Sequence, residues 1–483
     1  MPVVWVLLFG IACHKDPMVD KPLTIPPAET WWNEGVFYEI FVRSFYDSDG
    51  DGNGDLQGII QKLDYLNDGN PNTNTDLGIT AIWLMPIYPS PSYHGYDVTD
   101  FRTVNPQYGS INDFQKLVSE AHKRGIKVIL DFEINDTSDQ HPWFINSATS
   151  ISAGKRNWYV WSGTNPNYTG PWGQTVWYEK NGAYYYGVFS SAMPDLNYSN
   201  QEVTAEIEDI TRYWHKDMMV DGFRMDAAPL LIEEGQNQDN TYSTKNWWRN
   251  YYSFQKNMNP AFMSVGEVWT STDKISPYAD QRLDYCFEFD LAYAIIDAVQ
   301  NSNVNGLKSK MKEVVNSYPA LQYGVFLTNH DQIRVIEQLG LNEIKAKAAA
   351  GILLSLPGVP YLYYGEEVGM MGQKPDPAIR RPMQWNGGAN AGFTTVSPWF
   401  PVNPNYISAN VMTMQSDPNS LWNHYRKLIH VRTESTPLKQ GSYEPLNSNA
   451  GNVFSFMRVK GGEAVLAIHN LGIQPVQGLQ LSI

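Results

Sequence analysis

Three carboxylates each follow a short apolar run: Asp226 in GFRMDA, Glu267 in MSVGEVW and Asp331 in YGVFLTNHD. Arg224 stands two residues before the first, and His330 directly before the last. On a strand, residues two apart share a face, so Gly222, Arg224 and Asp226 point one way while Phe223 and Met225 point the other. Two carboxyls of unlike protonation suit glycoside hydrolysis, one as nucleophile and one as acid, ~5 Å apart where configuration is retained. A metal centre is the rival chemistry. It would favour several histidines or an HxH pair, and His330 alone is a poor basis for one.

Such a set works only if the chain brings these residues to one place. Eight candidate strands alternate with amphipathic helical stretches: Val36–Phe45, Gly78–Ile87, Ile126–Ile134, Gly222–Ala227, Met263–Trp269, Tyr285–Leu291, Tyr323–Asn329 and Pro360–Gly365. The βαβα rhythm predicts an α/β fold, and eight strands between about residue 36 and about residue 395 fit a (β/α)8 TIM barrel better than an open sheet. In such a barrel the strand C-termini share one mouth. The third run adds Asp131 and then Asn135 to it. A single acidic residue at a strand end is commonly a helix cap or a surface charge. Three of them with an arginine and a histidine are harder to explain that way.

Around the barrel the expected division is a leader and linker over 1–30, barrel over 31–134 and 201–400, an inserted subdomain over 135–200, and a connecting helix with a C-terminal β domain over 401–483. The insertion is too long for a simple loop and is rich in Tyr, Trp, Gly and Asn. Its rings either pack the segment itself or stack on flat sugar faces. The tail NVFSFMRVKGGEAVLAIHNLG reads as antiparallel strands joined at Gly461–Gly462, the start of a β-sandwich.

Composition narrows the partners. The 483-residue chain is 42% apolar and 18% charged, enough for a large core, and its net charge of −15 with no basic cluster argues against nucleic acid. Only two cysteines occur, so there is no disulfide framework. Cys13 closes VVWVLLFGIAC, which is too short to span a bilayer and reads as a signal-peptide core. With HKDP after it, the segment resembles a bacterial lipoprotein cleavage site. Export, with lipid on Cys13 anchoring the protein to a membrane, is the corresponding expectation, and a monomer is expected.

The strings SYHGYDVTDF, DGFRMDA, GEVW and FLTNHD, in this order, resemble the signature regions of the α-amylase family of glycoside hydrolases, family 13. The resemblance runs over nearly the whole chain from about Trp31. It implies Asp226 as the nucleophile that forms a glycosyl-enzyme, Glu267 as general acid and base, and Asp331 as a third carboxylate that binds sugar hydroxyls and helps distort the ring. Arg224 would orient the nucleophile, His330 would donate to a hydroxyl of the same sugar, and Tyr96, with His94 beside it, would be the stacking platform. Asp97 would pair with Arg380 of AIRRPMQW.

One departure stands out. The family's third-strand motif ends Asn-His, whereas DFEIND places Asp136 after Asn135. An aspartate cannot supply the imidazole donor, and its charge would raise the acid's pKa or weaken the sugar's binding. Altered binding at the cleavage point is therefore predicted.

DSDGDGNGDLQG places oxygen ligands at alternate positions, as hard cations prefer, but Gly58 stands where an EF-hand needs a bidentate acid. The string resembles the calcium loop of oligo-1,6-glucosidase-like members, which implies Ca2+ held by Asp47, Asp49, Asp51 and Asp55 through side chains and Asn53 through its carbonyl. MPDLN before the fourth run mixes the QPDLN of oligo-1,6-glucosidases with the MPKLN of neopullulanase-like members. That resembles the intermediary bacterial α-amylases. Pro229 and Leu230 stand where typical α-amylases carry Lys-His. The implied activity is retaining cleavage of α-1,4-glucosidic bonds in starch and maltodextrins. The rivals are an exo-acting α-glucosidase or oligo-1,6-glucosidase, a trehalose-type isomerase, and a non-catalytic glycan-binding homologue.

Overall fold

The structure, a computed structural model, describes residues 28–483. The expected leader, with Cys13, lies outside them. Three strands open the fold, β1 (Phe37–Ile40), β2 (Ala81–Leu84) and β3 (Lys127–Phe132). An excursion then carries β4 (Trp161–Ser162), β5 (Trp177–Lys180) and β6 (Ala183–Tyr186). Next come β7 (Gly222–Met225), β8 (Met263–Gly266), β9 (Tyr285–Phe287), β10 (Tyr323–Val325) and β11 (Val359–Tyr363). The tail adds β12 (Ser442–Ser448), β13 (Val453–Lys460), β14 (Glu463–Asn470) and β15 (Leu481–Ser482).

Strands β1, β2, β3 and β7 to β11 close a parallel barrel in the order β1-β11-β10-β9-β8-β7-β3-β2. Except for Lys127, every residue of these strands is buried. That is why they read as continuous apolar runs: helices cover the outside while side chains fill the inside. Phe37, Trp83, Ile129, Val265, Phe287 and Tyr361 pack within one inner cluster. Phe223 and Met225 belong to the outer one, Phe223 lying against Phe132 and Phe262.

The strands are shorter than their apolar runs. Val36–Phe45, expected as one strand, ends at Ile40, and Val42–Phe45 forms a helical turn. Trp385 fixes that turn, packing on Phe45 and donating Nε1–H to its carbonyl at 2.7 Å. Tyr285–Leu291 likewise gives a strand only to Phe287, because the helix Phe289–Asn301 starts next.

In the excursion, β4, β6 and β5 form a small antiparallel sheet. Most of its rings pack on one another: Phe144 contacts Tyr159, Trp161 and Tyr185. At the other end, β14-β13-β12-β15 form a four-stranded antiparallel sheet, with Gly461 and Gly462 at positive φ in the β13–β14 turn. Buried Arg458 ties that sheet to the barrel by donating to the Ser355 carbonyl at 3.0 Å. Among the described residues, no helix is long and apolar enough to cross a membrane.

Candidate active site

At the barrel mouth a cavity of about 560 Å³ is lined by His94, Tyr96, Asp226, Glu267, Asp331 and Arg380, with Trp172 and Phe189 of the excursion and Trp269 after β8 on its wall. Each carboxylate sits just past a strand. Asp226 follows β7 and Glu267 follows β8; Asp331 follows β10 after a five-residue extension.

Beneath them lies Arg224, wholly buried. Its Nη1 donates to Asp131 at 2.8 Å and to Asp226, and its Nη2 lies 3.0 Å from Glu267 Oε2. One guanidinium thus serves three carboxyls, and their protonation diverges. Burial raises Glu267, Arg224 offsets only part of that, and the charges of Asp226 and Asp331 add to it, so its carboxyl is pushed up to about 8. For Asp226 burial acts the same way, but the Arg224 guanidinium and a hydrogen bond with Glu133 outweigh it and hold the group below the usual carboxylate range. Asp131, the most deeply placed of the three, is pushed up to about 6 by burial against the pull of Arg224. Environment alone therefore separates an ionised carboxylate from a protonated acid at neutral pH.

Asp331 is held by two cations. His330 Nε2 is 3.0 Å from its Oδ2, and Arg380 Nη2 donates to its Oδ1 at 2.8 Å. Burial opposes the charge, yet His330 and Arg380 keep this carboxyl far below the usual range. In turn, the charges of Asp331 and Glu39 overcome burial and raise His330 to about 10, with Nδ1 at 2.5 Å from Glu39 Oε1. Tyr96 completes the wall: its hydroxyl meets His330 Nε2 at 2.6 Å and donates to Asp131 at 3.0 Å, and its ring stacks on the imidazole.

Several expectations change here. Arg380 pairs with Asp331, not with Asp97, because Asp97 is buried away from the cavity and its carboxylate accepts from the Ser90 and Ser92 hydroxyls. His330 and Arg224 are buried at the floor of the site, each bonded to carboxylates that line the cavity. Asp136 is not on the cavity wall either. It is fully buried opposite Asp195, both its oxygens lack a partner, and burial together with the charges of Asp195 and Asp226 pushes its carboxyl well up. The charges that chiefly raise Glu267 are those of Asp226 and Asp331. Glu39 and Glu133 went unremarked in the sequence. The available signal was their place inside or just after apolar strands, where a carboxylate needs a reason.

The acidic loop after the first strand is apart from this cavity. Asp47, Asp49 and Asp55 bring carboxylate oxygens within 4.8 Å of one another, while Asp51 stays outside the group and instead accepts from the Asn53 N–H at 2.7 Å. Two of the three also have structural work. Asp47 accepts from the Gly50 and Gly52 N–H groups, and Asp55 caps the helix Leu56–Leu66 through Gly58. A carboxylate has lone pairs left after such bonds, so this donor set fits a hard cation.

Comparison with known proteins agrees with this geometry. The family model described as alpha amylase, catalytic domain, matches residues 39–441. A solved alpha-amylase from H. orenii superposes with a TM-score of 0.84 at 44% identity, covering 92% of this chain and 90% of that one. The alpha-amylase 3 of Dictyoglomus thermophilum is 39% identical over 92% of this chain and 86% of its own. An oligo-1,6-glucosidase from Parageobacillus thermoglucosidasius is 32% identical over 91% and 90%. With its closed eight-stranded barrel and its carboxylates gathered at the mouth, the chain belongs to the α-amylase family of glycoside hydrolases, family 13.

Proposed function

We propose that this enzyme hydrolyses α-1,4-glucosidic bonds in starch-type glucans and maltodextrins with net retention of configuration. The observation that carries the reading is the convergence of Asp226 and Glu267 on the single Arg224 guanidinium at the wall of the cavity, where burial favours the proton on Glu267 and the guanidinium favours the charge on Asp226. Asp226 attacks the anomeric carbon while Glu267 gives its proton to the departing glycosidic oxygen. Water then opens the glycosyl-enzyme, losing its proton to the Glu267 carboxylate. Asp331, ionised between His330 and Arg380, accepts from hydroxyls of the reacting sugar, and Tyr96 lies against its ring. Leaving-group contacts come from Trp172, Phe189 and Trp269, which line the cavity where Pro229 and Leu230 offer no charged side chain.

Likeness to two alpha-amylases supports the α-1,4 preference. An exo-acting or α-1,6-cleaving enzyme is the second reading, supported by the oligo-1,6-glucosidase relative and by MPDLN at Met193–Asn197. Product analysis separates them. Soluble starch and maltoheptaose should give mixed maltooligosaccharides that appear first as α-anomers; glucose alone, or rapid isomaltose turnover, moves the assignment to the second reading.

The pH profile is a further test. Activity needs Glu267 protonated and Asp226 ionised, so kcat/KM should fall as pH rises through about 8 and again as pH drops through the depressed Asp226 value. A free-enzyme profile without a basic limb near pH 8 contradicts the assignment of Glu267 as acid.

Calcium at Asp47, Asp49 and Asp55 belongs to the same proposal, as a structural ion that braces the loop. At a concentration about 100-fold above its Kd, linkage gives about 2.7 kcal/mol, read as roughly 3 °C in Tm for a chain of this size. EDTA should reverse the shift and Asp49→Ala should abolish it; a Tm indifferent to calcium removes the ion from the proposal. Export with lipid on Cys13 would suit a polymeric substrate. Cys13→Ser should then move the protein from the membrane to the soluble fraction.

A further inference from the structure

Strands β3 and β7 pair in parallel with Asp131 opposite Arg224 and Phe132 opposite Met225. One step further along, Glu133 comes beside Asp226, whose N–H lies 3.5 Å from the Phe132 carbonyl. Side chains alternate along a strand, so Asp131 and Glu133 face the same side as Arg224 and Asp226. Two cross-strand pairs result. The first is an ion pair, Asp131 with Arg224 at 2.8 Å. The second sets two carboxyls, Glu133 and Asp226, against each other.

Glu133 has no exposed surface. Its Oε1 accepts the Asn135 N–H at 2.7 Å, and its Oε2 meets no N–H or O–H donor. Two ionised carboxylates cannot rest in contact in such a place, so the pair holds a proton. Arg224 decides which member keeps it, because the guanidinium bonds to Asp226 and not to Glu133. The other groups around the pair are Tyr96 after β2, Asp131 on β3, Asp136 in the loop after it, Tyr198 of the excursion, Glu267 after β8 and Asp331 after β10. All of these are acidic or neutral. The second cation in reach, His330, is bonded to Asp331 and Glu39.

We propose that Glu133 is a positioning residue for the nucleophile: its carboxyl stays protonated and donates to the Asp226 carboxylate, which is thus gripped by Arg224 and by a neutral acid and kept ionised and aimed. The inference rests on the assignment of Asp226 as nucleophile. Burial, reinforced by the charges of Asp226 and Asp136, holds the Glu133 carboxyl well above its ordinary value, as this role requires.

The experiment compares wild type, Glu133→Gln and Glu133→Leu by pH-dependent kinetics on maltoheptaose, with Tm as a check on folding. Glutamine keeps a neutral donor, so Glu133→Gln should hold kcat within about threefold and leave the acidic limb in place. Leucine removes the donor. Loss of a hydrogen bond to a charged group should move the acidic limb up by about one pH unit and lower kcat by about tenfold, with KM little changed. A Glu133→Gln enzyme whose acidic limb moves to lower pH shows that Glu133 was ionised and repelling, and it overturns the proposal. A Glu133→Leu profile equal to wild type does the same. An infrared readout is independent of turnover. In wild-type-minus-variant difference spectra at neutral pH, Glu133→Gln should remove one protonated-carboxyl band among those of the buried acids, and Asp226→Asn should shift that same band; a difference spectrum without it in either variant overturns the pair. If Asp226→Asn is instead fully active, the nucleophile assignment fails while the infrared result still decides the protonation of Glu133.

Discussion

Asp226→Asn is expected to lower kcat on maltoheptaose by at least ~10⁴-fold, since removing a residue on which a covalent step depends costs nearly the whole of chemical catalysis. Folding should survive. The swap is nearly isosteric, the amide oxygen still accepts from Arg224, and that guanidinium keeps Asp131 at 2.8 Å and Glu267 at 3.0 Å. One acidic charge also leaves a site where Asp226 and Asp331 repel. Single-turnover kinetics and a thermal melt check both halves. More than about a hundredth of wild-type turnover in a pure, folded sample sinks the nucleophile assignment.

Glu267→Gln should cost ~10²- to 10⁴-fold on maltoheptaose, the usual range for a lost proton donor. The loss in the first half-reaction should nearly vanish on a glycosyl fluoride or dinitrophenyl glycoside, whose leaving groups depart without protonation. Burial that keeps this carboxyl protonated to about pH 8 is useful only for donating to a poor leaving group. The basic limb of the pH profile should disappear with the glutamate. Equal losses on both kinds of substrate would instead mean that Glu267 acts through structure. Its Oε2 does accept the Ala227 N–H at 3.2 Å, but a glutamine oxygen can keep that bond.

Much of the chemistry was legible in short strings. Arg224 and Asp226 share a face because a strand alternates, and Asp226, Glu267 and Asp331 follow apolar runs because a barrel buries its strands on both sides. The strands' true lengths were not legible. Val36–Phe45 reads as one run, and it is contacts from far along the chain, the Trp385 indole 340 residues on among them, that set the helical turn at Val42–Phe45. Asp97 and Arg380 show the same limit. Both are charged and both stand in strings that resemble the family's, but Ser90 and Ser92 satisfy the aspartate and Asp331 takes the arginine.

Asp136 and Glu133 mark that limit most sharply. In DFEIND the visible departure is Asp136, and by charge alone it belongs on the substrate. The fold buries it against Asp195 and gives the neighbourhood of the nucleophile to Glu133, because the β3–β7 register sets that residue across from Asp226. By itself the sequence determined the barrel, the three carboxylates and the arginine beneath them, since strand alternation and apolar periodicity are local and repeat eight times around one closed sheet. Only the tertiary structure decided which carboxyl keeps its proton, which cation holds which anion, and which aromatic rings reach the cavity. Those outcomes depend on burial and on distances between segments far apart in the chain, and no local pattern encodes either.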